Sequence, residues 1–185
     1  MRRSTIAIFA TTLVTISFVT AGLFFVHGQP EKLCSPDGSL MTQTAVAKNN
    51  LLSGFSVSCI RVQDSTGKTI LDGFVYVASN ESQREQAFQN ATSFGDCNGF
   101  ATQVNNCDGM IFVFPSSEQL CFWMHNTIIP LRQVWISENG TVSAVYNANS
   151  ESDATVCHSG KYVLEKSLNT QISPGNSVFL NVNGT

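Results

Sequence analysis

Charge is scarce in this chain: Asp, Glu, Lys and Arg make up 12% of its 185 residues, about half the share usual in a globular domain. Solubility therefore rests on Ser, Thr, Asn and Gln, an uncharged polar surface. No run of five or more basic residues occurs. Without Arg2 and Arg3, the other 8 basic side chains face 13 acidic ones, a net charge of −5. A face that tracks nucleic-acid phosphates is thereby excluded, because that affinity rests on clustered Lys and Arg. There is no C-x-x-C spacing, and Cys157-His158 is the only adjacent Cys-His pair, which argues against a zinc site. A G-x-S-x-G nucleophile elbow and a glycine-rich phosphate loop are also missing. Met110, Met124, His125 and His158 are residue types that suit copper, but nothing in their spacing calls for the metal. No metal or cofactor is expected, and no internal repeat or low-complexity tract is seen.

What is present begins at the N-terminus. Met1-Arg2-Arg3-Ser4 precedes Thr5 to Val26, twenty-two residues without a charge. As a helix this run is about 33 Å long, enough to cross a hydrocarbon core of about 30 Å. The paired arginines lie before it, so the positive-inside rule places everything after residue 28 outside the cytoplasm. The alternative is a cleaved signal peptide, whose apolar stretch is usually about 7–15 residues and ends in small side chains. Here the run ends in Leu23-Phe24-Phe25-Val26-His27. Residues 1–28 are therefore read as a signal anchor in the cell membrane, with secretion after cleavage as the alternative.

All six cysteines, Cys34, Cys59, Cys97, Cys107, Cys121 and Cys157, follow the apolar segment. An even count on the oxidising side of a membrane reads as up to three disulfides. Six cysteines allow fifteen complete pairings, and the sequence does not choose among them. Cys97 and Cys107 bracket a loop short enough to bridge locally, and Cys121 with Cys157 is the second candidate pair.

Residues 29–54 read as a stalk and lead-in, with a weak helical pattern over Thr42 to Leu52, and residues 55–185 as a β-rich domain. Phe55 to Val62 and Thr69 to Ala78 are β-branched and aromatic runs joined by a turn at Asp64 to Lys68. Asn80 can cap a helix from Ser79 to Phe88, with Gln83 reaching back in a capping box. Further strands are expected at Met110 to Phe114, Cys121 to Ile128 and Leu131 to Ser137. Asn139-Gly140 then turns the chain into Thr141 to Asn147. A loop from Ala148 to Gly160 leads to strands at Lys161 to Lys166 and Ser177 to Val182. About eight strands and one helix, without βα alternation, predict a mainly β or α+β fold. Its sheet would be small, barrel-like, antiparallel or mixed, and preceded by the transmembrane helix.

Three blocks carry a resemblance: Met110-Ile111-Phe112-Val113-Phe114-Pro115, then Phe122-Trp123-Met124-His125-Asn126-Thr127-Ile128-Ile129-Pro130-Leu131, then Tyr162-Val163-Leu164-Glu165. In this order they closely resemble domain of unknown function 192, over roughly Leu71 to Val182. The resemblance implies a small barrel-like α+β fold and offers no reaction. Asn80 to Gln89 is similar to the family's helix, with Arg84 on its first arginine. Gln86 stands for the second arginine of that helix and Ala87 for its glycine. His125 stands for the lysine of the central block, and Arg132 for the acidic residue after it.

Trp123, His125 and Asn126, and with them Trp135, are the candidate platform for a flat ligand such as a sugar ring. The competing reading makes Trp123 and Met124 core and gives Asn126 a backbone role at the bend before Pro130. An acid–base site needs paired carboxylates or an oriented histidine, and Glu165 is the one carboxylate inside a matched block. The expected function is a binding or accessory module for a cell-envelope carbohydrate or protein, reached through Trp123, His125, Asn126 and Glu165. The alternatives are an envelope hydrolase or transferase using Glu165 and His125, and a structural subunit of a membrane complex.

Overall fold

In the computed structural model, residues 52, 54–94, 107, 109–180 and 182 are described. The expected membrane segment, the helical pattern before Leu52 and one end of the expected Cys97–Cys107 bridge lie outside them. Among the described residues no helix is long and apolar enough to cross a membrane. The rest is a mainly β, curled mixed sheet, a half-barrel with one short helix.

The strands are β1 (Ser56–Gln63), β2 (Thr69–Ala78), β3 (Gly109–Phe122), β4 (Leu131–Ile136), β5 (Val142–Ala148), β6 (Val156–Lys166) and β7 (Ser177–Leu180). They form a seven-stranded sheet in the order β5-β4-β6-β3-β2-β1-β7. Only the β2–β3 pairing is parallel. The β1–β2 hairpin is built by Asp64, whose carboxylate accepts from the Thr66 and Lys68 amides at 2.8 and 3.0 Å. Helix α1 (Glu81–Gln86) follows β2 with the expected capping box between Asn80 and Gln83. It is shorter than expected, because its C-cap Ala87 leaves helical space at φ 42°. Phe88 is fully buried just beyond it, so anchoring falls to the turn after the helix.

Among the described residues seven strands stand where about eight were expected, and the difference lies in β3. The separate runs Met110 to Phe114 and Cys121 to Ile128 are not two strands. β3 continues through both Phe114 and Pro115, and its ladder with β6 slips between Val113 and Glu118. Proline has no amide hydrogen to give a ladder, so the strand bulges there and resumes at Glu118. It ends at Phe122, not Ile128. From Trp123 the backbone turns: the Thr127 amide donates to the Met124 carbonyl at 3.0 Å, and Asn126 sits at φ 55°, a left-handed position that asparagine tolerates. The loop expected over Ala148 to Gly160 is also shorter, because β6 begins at Val156.

Alternation along the strands sorts the core onto two faces. Phe74, Tyr76, Met110, Phe112, Trp135 and Val163 pack on one, joined by Phe88, Leu120 and Met124. Val75, Val77, Ile111, Val134, Ile136 and Leu164 pack on the other. Val142 and Val178, from opposite edges of the sheet, both join this second, largely β-branched set. The sheet therefore curls around it. The edges meet at a bridge between Thr141 and Ser177, where the Val142 amide donates to the Asn176 carbonyl at 2.9 Å. The aromatic face lies on the other side, and there the site is found.

Candidate functional site

On the aromatic face, the bulge of β3, helix α1 and the turn after β3 enclose a cleft of about 590 Å³, within the range of small-ligand sites. Phe112 and Phe122 line it with their rings 4.9 Å apart, edge to face, and Phe122 lies 6.5 Å from Phe114. Arg84 of α1 reaches across: its Nη1 donates to the carbonyls of Ser79 and Val113 at 2.9 and 3.1 Å. Its guanidinium lies 4.9 Å from the centre of the Phe114 ring. The helix is thereby tied to β3 by a cation resting on an aromatic face.

At the mouth, Trp123 is 55% exposed. Its ring stacks on His125 at 4.9 Å with an interplanar angle of 19°. The His125 ring is held from behind, Nδ1 to the Asp153 carboxylate at 3.0 Å. An exposed tryptophan backed by an oriented imidazole is a flat apolar surface presented to solvent. Just before it, Cys121 is bonded to Cys157, its register partner on β6. The covalent link holds the end of β3 where the turn leaves the sheet. Cys59 and Cys107 are disulfide-bonded too.

Glu165 also lines the cleft, 3% exposed, on the aromatic side of β6. In register it lies between Met110 of β3 and Gln133 of β4. Gln133, itself buried, donates Nε2 to Glu165 Oε1 at 3.1 Å and lies 3.7 Å from the Met124 sulfur. Among the described residues Gln133 is the only hydrogen-bond partner of this carboxyl. Burial penalises the carboxylate and pushes its pKa from 4.5 to about 7, and the Gln133 bond pulls weakly the other way.

Trp123, His125 and Glu165 are thus brought to one cleft. Asn126 is not; it is exposed, and its carbonyl accepts from the Asn90 amide at 2.8 Å. Trp135 is no part of a platform. It is fully buried, its Nε1 bonded to the Leu120 carbonyl at 3.0 Å, its ring 6.1 Å from Phe122 and 4.8 Å from His158. It points to the aromatic face, where Phe122 and Leu120 pack over it. Met124 is core, as the competing reading had it, whereas Trp123 is not. Sequence reasoning missed Arg84, Phe114, Glu118 and Gln133. Phe114 lay in a matched block and Arg84 in the helix similar to the family's, so both carried a signal, but Glu118 and Gln133 carried none.

The profile described as DUF192, "Uncharacterized ACR", matches residues 63–178. The chain belongs to this family. The DUF192 match starts in β1, earlier than the resemblance from Leu71 had it, and ends in β7. Two solved structures share the fold. A protein of Sinorhizobium meliloti 1021, provisionally described as a transcription regulator, is 28% identical with a TM-score of 0.57, covering 68% of this chain and 95% of its own. A protein of unknown function from Novosphingobium aromaticivorans DSM 12444 is 22% identical with the same TM-score, 0.57, covering 73% and 91%. Among curated proteins, none matches this sequence. Of the departures from the DUF192 pattern, Arg132 lies outside the cleft, bonded to Asn147 and to the Ile172 carbonyl at 2.7 Å each. His125 and Ala87 line it.

Proposed function

We propose that this DUF192 domain is a binding module for a ring-shaped ligand of the cell envelope, a carbohydrate, seated in the cleft on the stacked Trp123–His125 pair. The observation that carries the reading is Trp123, more than half exposed at the mouth of a cleft with a buried, half-satisfied carboxyl inside it. Sugar rings offer an apolar face to an indole and hydroxyls to a carboxyl, which is the pairing of surfaces found here. The module is tethered outside the cytoplasm by the apolar segment Thr5 to Val26, and the Cys121–Cys157 disulfide suits that oxidising side. The regulator description of the Sinorhizobium meliloti protein is not carried over: both chain and cleft are acidic, and nucleic-acid binding rests on clustered Lys and Arg.

The test is a panel of immobilised envelope glycans probed with the full chain in detergent. Trp123→Ala is expected to weaken capture by tenfold or more, about 1.4 kcal/mol or greater. Unchanged capture by the variant, or no capture by either protein, removes the reading.

A second reading is favoured by Glu165 alone. A carboxyl held protonated up to about pH 7 is equipped as a general acid, and Glu118 on the same cleft is a second carboxylate. The domain would then be an envelope hydrolase or transferase. Mass spectrometry of an oligosaccharide incubated with the chain separates the two, since cleavage that disappears in Glu165→Gln is not a property of a binding module.

A further inference from the structure

Taking the cleft as the ligand site, we infer that it selects a sugar carrying a protonated amine over its neutral counterpart. Of the charged side chains lining the cleft, Glu81, Glu85, Glu118 and Glu165 are acidic and Arg84 is the one permanent cation. That cation is already committed to two carbonyls and the Phe114 ring. His125 is held to Asp153, outside the lining. None of the four carboxyls is in an ion pair among the described residues. Glu81, Glu85 and Glu118 against Arg84 leave the cleft net negative, and a concave surface of one net sign concentrates ions of the other.

Two further features point the same way. Glu165 is buried with a hydrogen bond on one oxygen, so once ionised it leaves an acceptor in the cleft open to a donor. Phe122 and Trp123 supply rings that attract a cation as well as an apolar sugar face. A neutral ring gains the stacking but not the charge, and an anionic one meets a net-negative cleft. An amino sugar gains both.

The experiment is calorimetric titration of the full chain in detergent with a glucosamine tetrasaccharide and with its N-acetylated counterpart. A pH of about 7 leaves an amine of α-amino-like pKa mostly protonated and Glu165 partly ionised. The free-amine sugar is expected to bind about tenfold tighter or more, with the preference shrinking in added salt and in both Glu165→Gln and Glu118→Gln. Glu118 is exposed, so its variant reads charge without disturbing the core. Equal affinity for the two sugars, with both lost in Trp123→Ala, overturns the amine inference and leaves the binding module standing. Failure of both sugars to bind overturns the inference too, and the glycan panel then judges the binding module separately.

Discussion

Glu165 is buried with its carboxyl bonded to Gln133, and its protonation contributes to how the folded chain responds to pH. Its folded-state pKa, about 7, lies above its ordinary 4.5. Between those values the folded chain keeps a proton that the unfolded chain releases, so stability falls as pH rises through the window. Below it both states are protonated and nothing is lost; above it the full penalty applies, on the order of 3 kcal/mol. Glu165→Gln keeps the acceptor for Gln133 and has no charge to desolvate. Urea unfolding is expected to show the variant more stable than the parent by roughly that amount above pH about 8, and equal to it below pH about 4. Parallel curves across that range would rule out a desolvated carboxyl. Ala87 makes a second case at this scale. It stands at φ 42°, ψ −131°, where the DUF192 pattern has glycine. Backbone of this kind is strained for a side chain by about 1–3 kcal/mol, and glycine's extra unfolded-state freedom returns about 0.5–1 of that. Ala87→Gly is expected to raise stability by about 1 kcal/mol, visible as a higher melting temperature; a lower one would show the backbone to be relaxed there.

Among the elements, β3 does most to make the site. Its bulge at Pro115 brings Phe114 and Glu118 to the cleft, its end carries the stack, and Cys121–Cys157 pins that end to β6. A bridge spanning 36 residues stabilises by constraining the unfolded chain, typically about 2–4 kcal/mol. Replacing both cysteines with serine is expected to lose about that much and to weaken glycan capture, because the turn carrying Trp123 and His125 is freed. If stability drops while capture at low temperature stays the same, the bridge holds the fold and not the platform. The start of β3 is constrained as well: a Cβ added at Gly109 would sit on the Glu165 carbonyl oxygen. The closeness of β3 to β6 at the cleft thus depends on that glycine.

For the whole molecule, the seam between the sheet's two edges is the decisive contact. Gly140, at φ 82° in the β4–β5 turn, accepts from the Val178 amide at 2.7 Å, and a Cβ there would meet the Val178 carbonyl at 2.7 Å. Gly140→Ala is expected to cost about 1–3 kcal/mol and to speed amide exchange in β7 ahead of β2 and β3. Uniform exchange would mean that the seam opens only with the entire sheet.

Much of this fold was legible in the sequence. Thr69–Ala78 matched its strand end to end, the Asn80–Gln83 capping box formed, and Asn139-Gly140 turned the chain, because period-two burial, caps and turns are local chemistry. The site was legible in part, through Trp123, His125 and Glu165 in the matched blocks. By itself the sequence determined the β-rich class, the family, and the low charge that excludes a phosphate-tracking face. Only the tertiary structure decided that Trp123 is out and Trp135 in, since two indoles in similar β-rich runs differ only in what packs over them. It alone brought Arg84, Glu118 and Glu165 around one cleft, because curling a sheet joins residues whose separation along the chain carries no trace of the meeting.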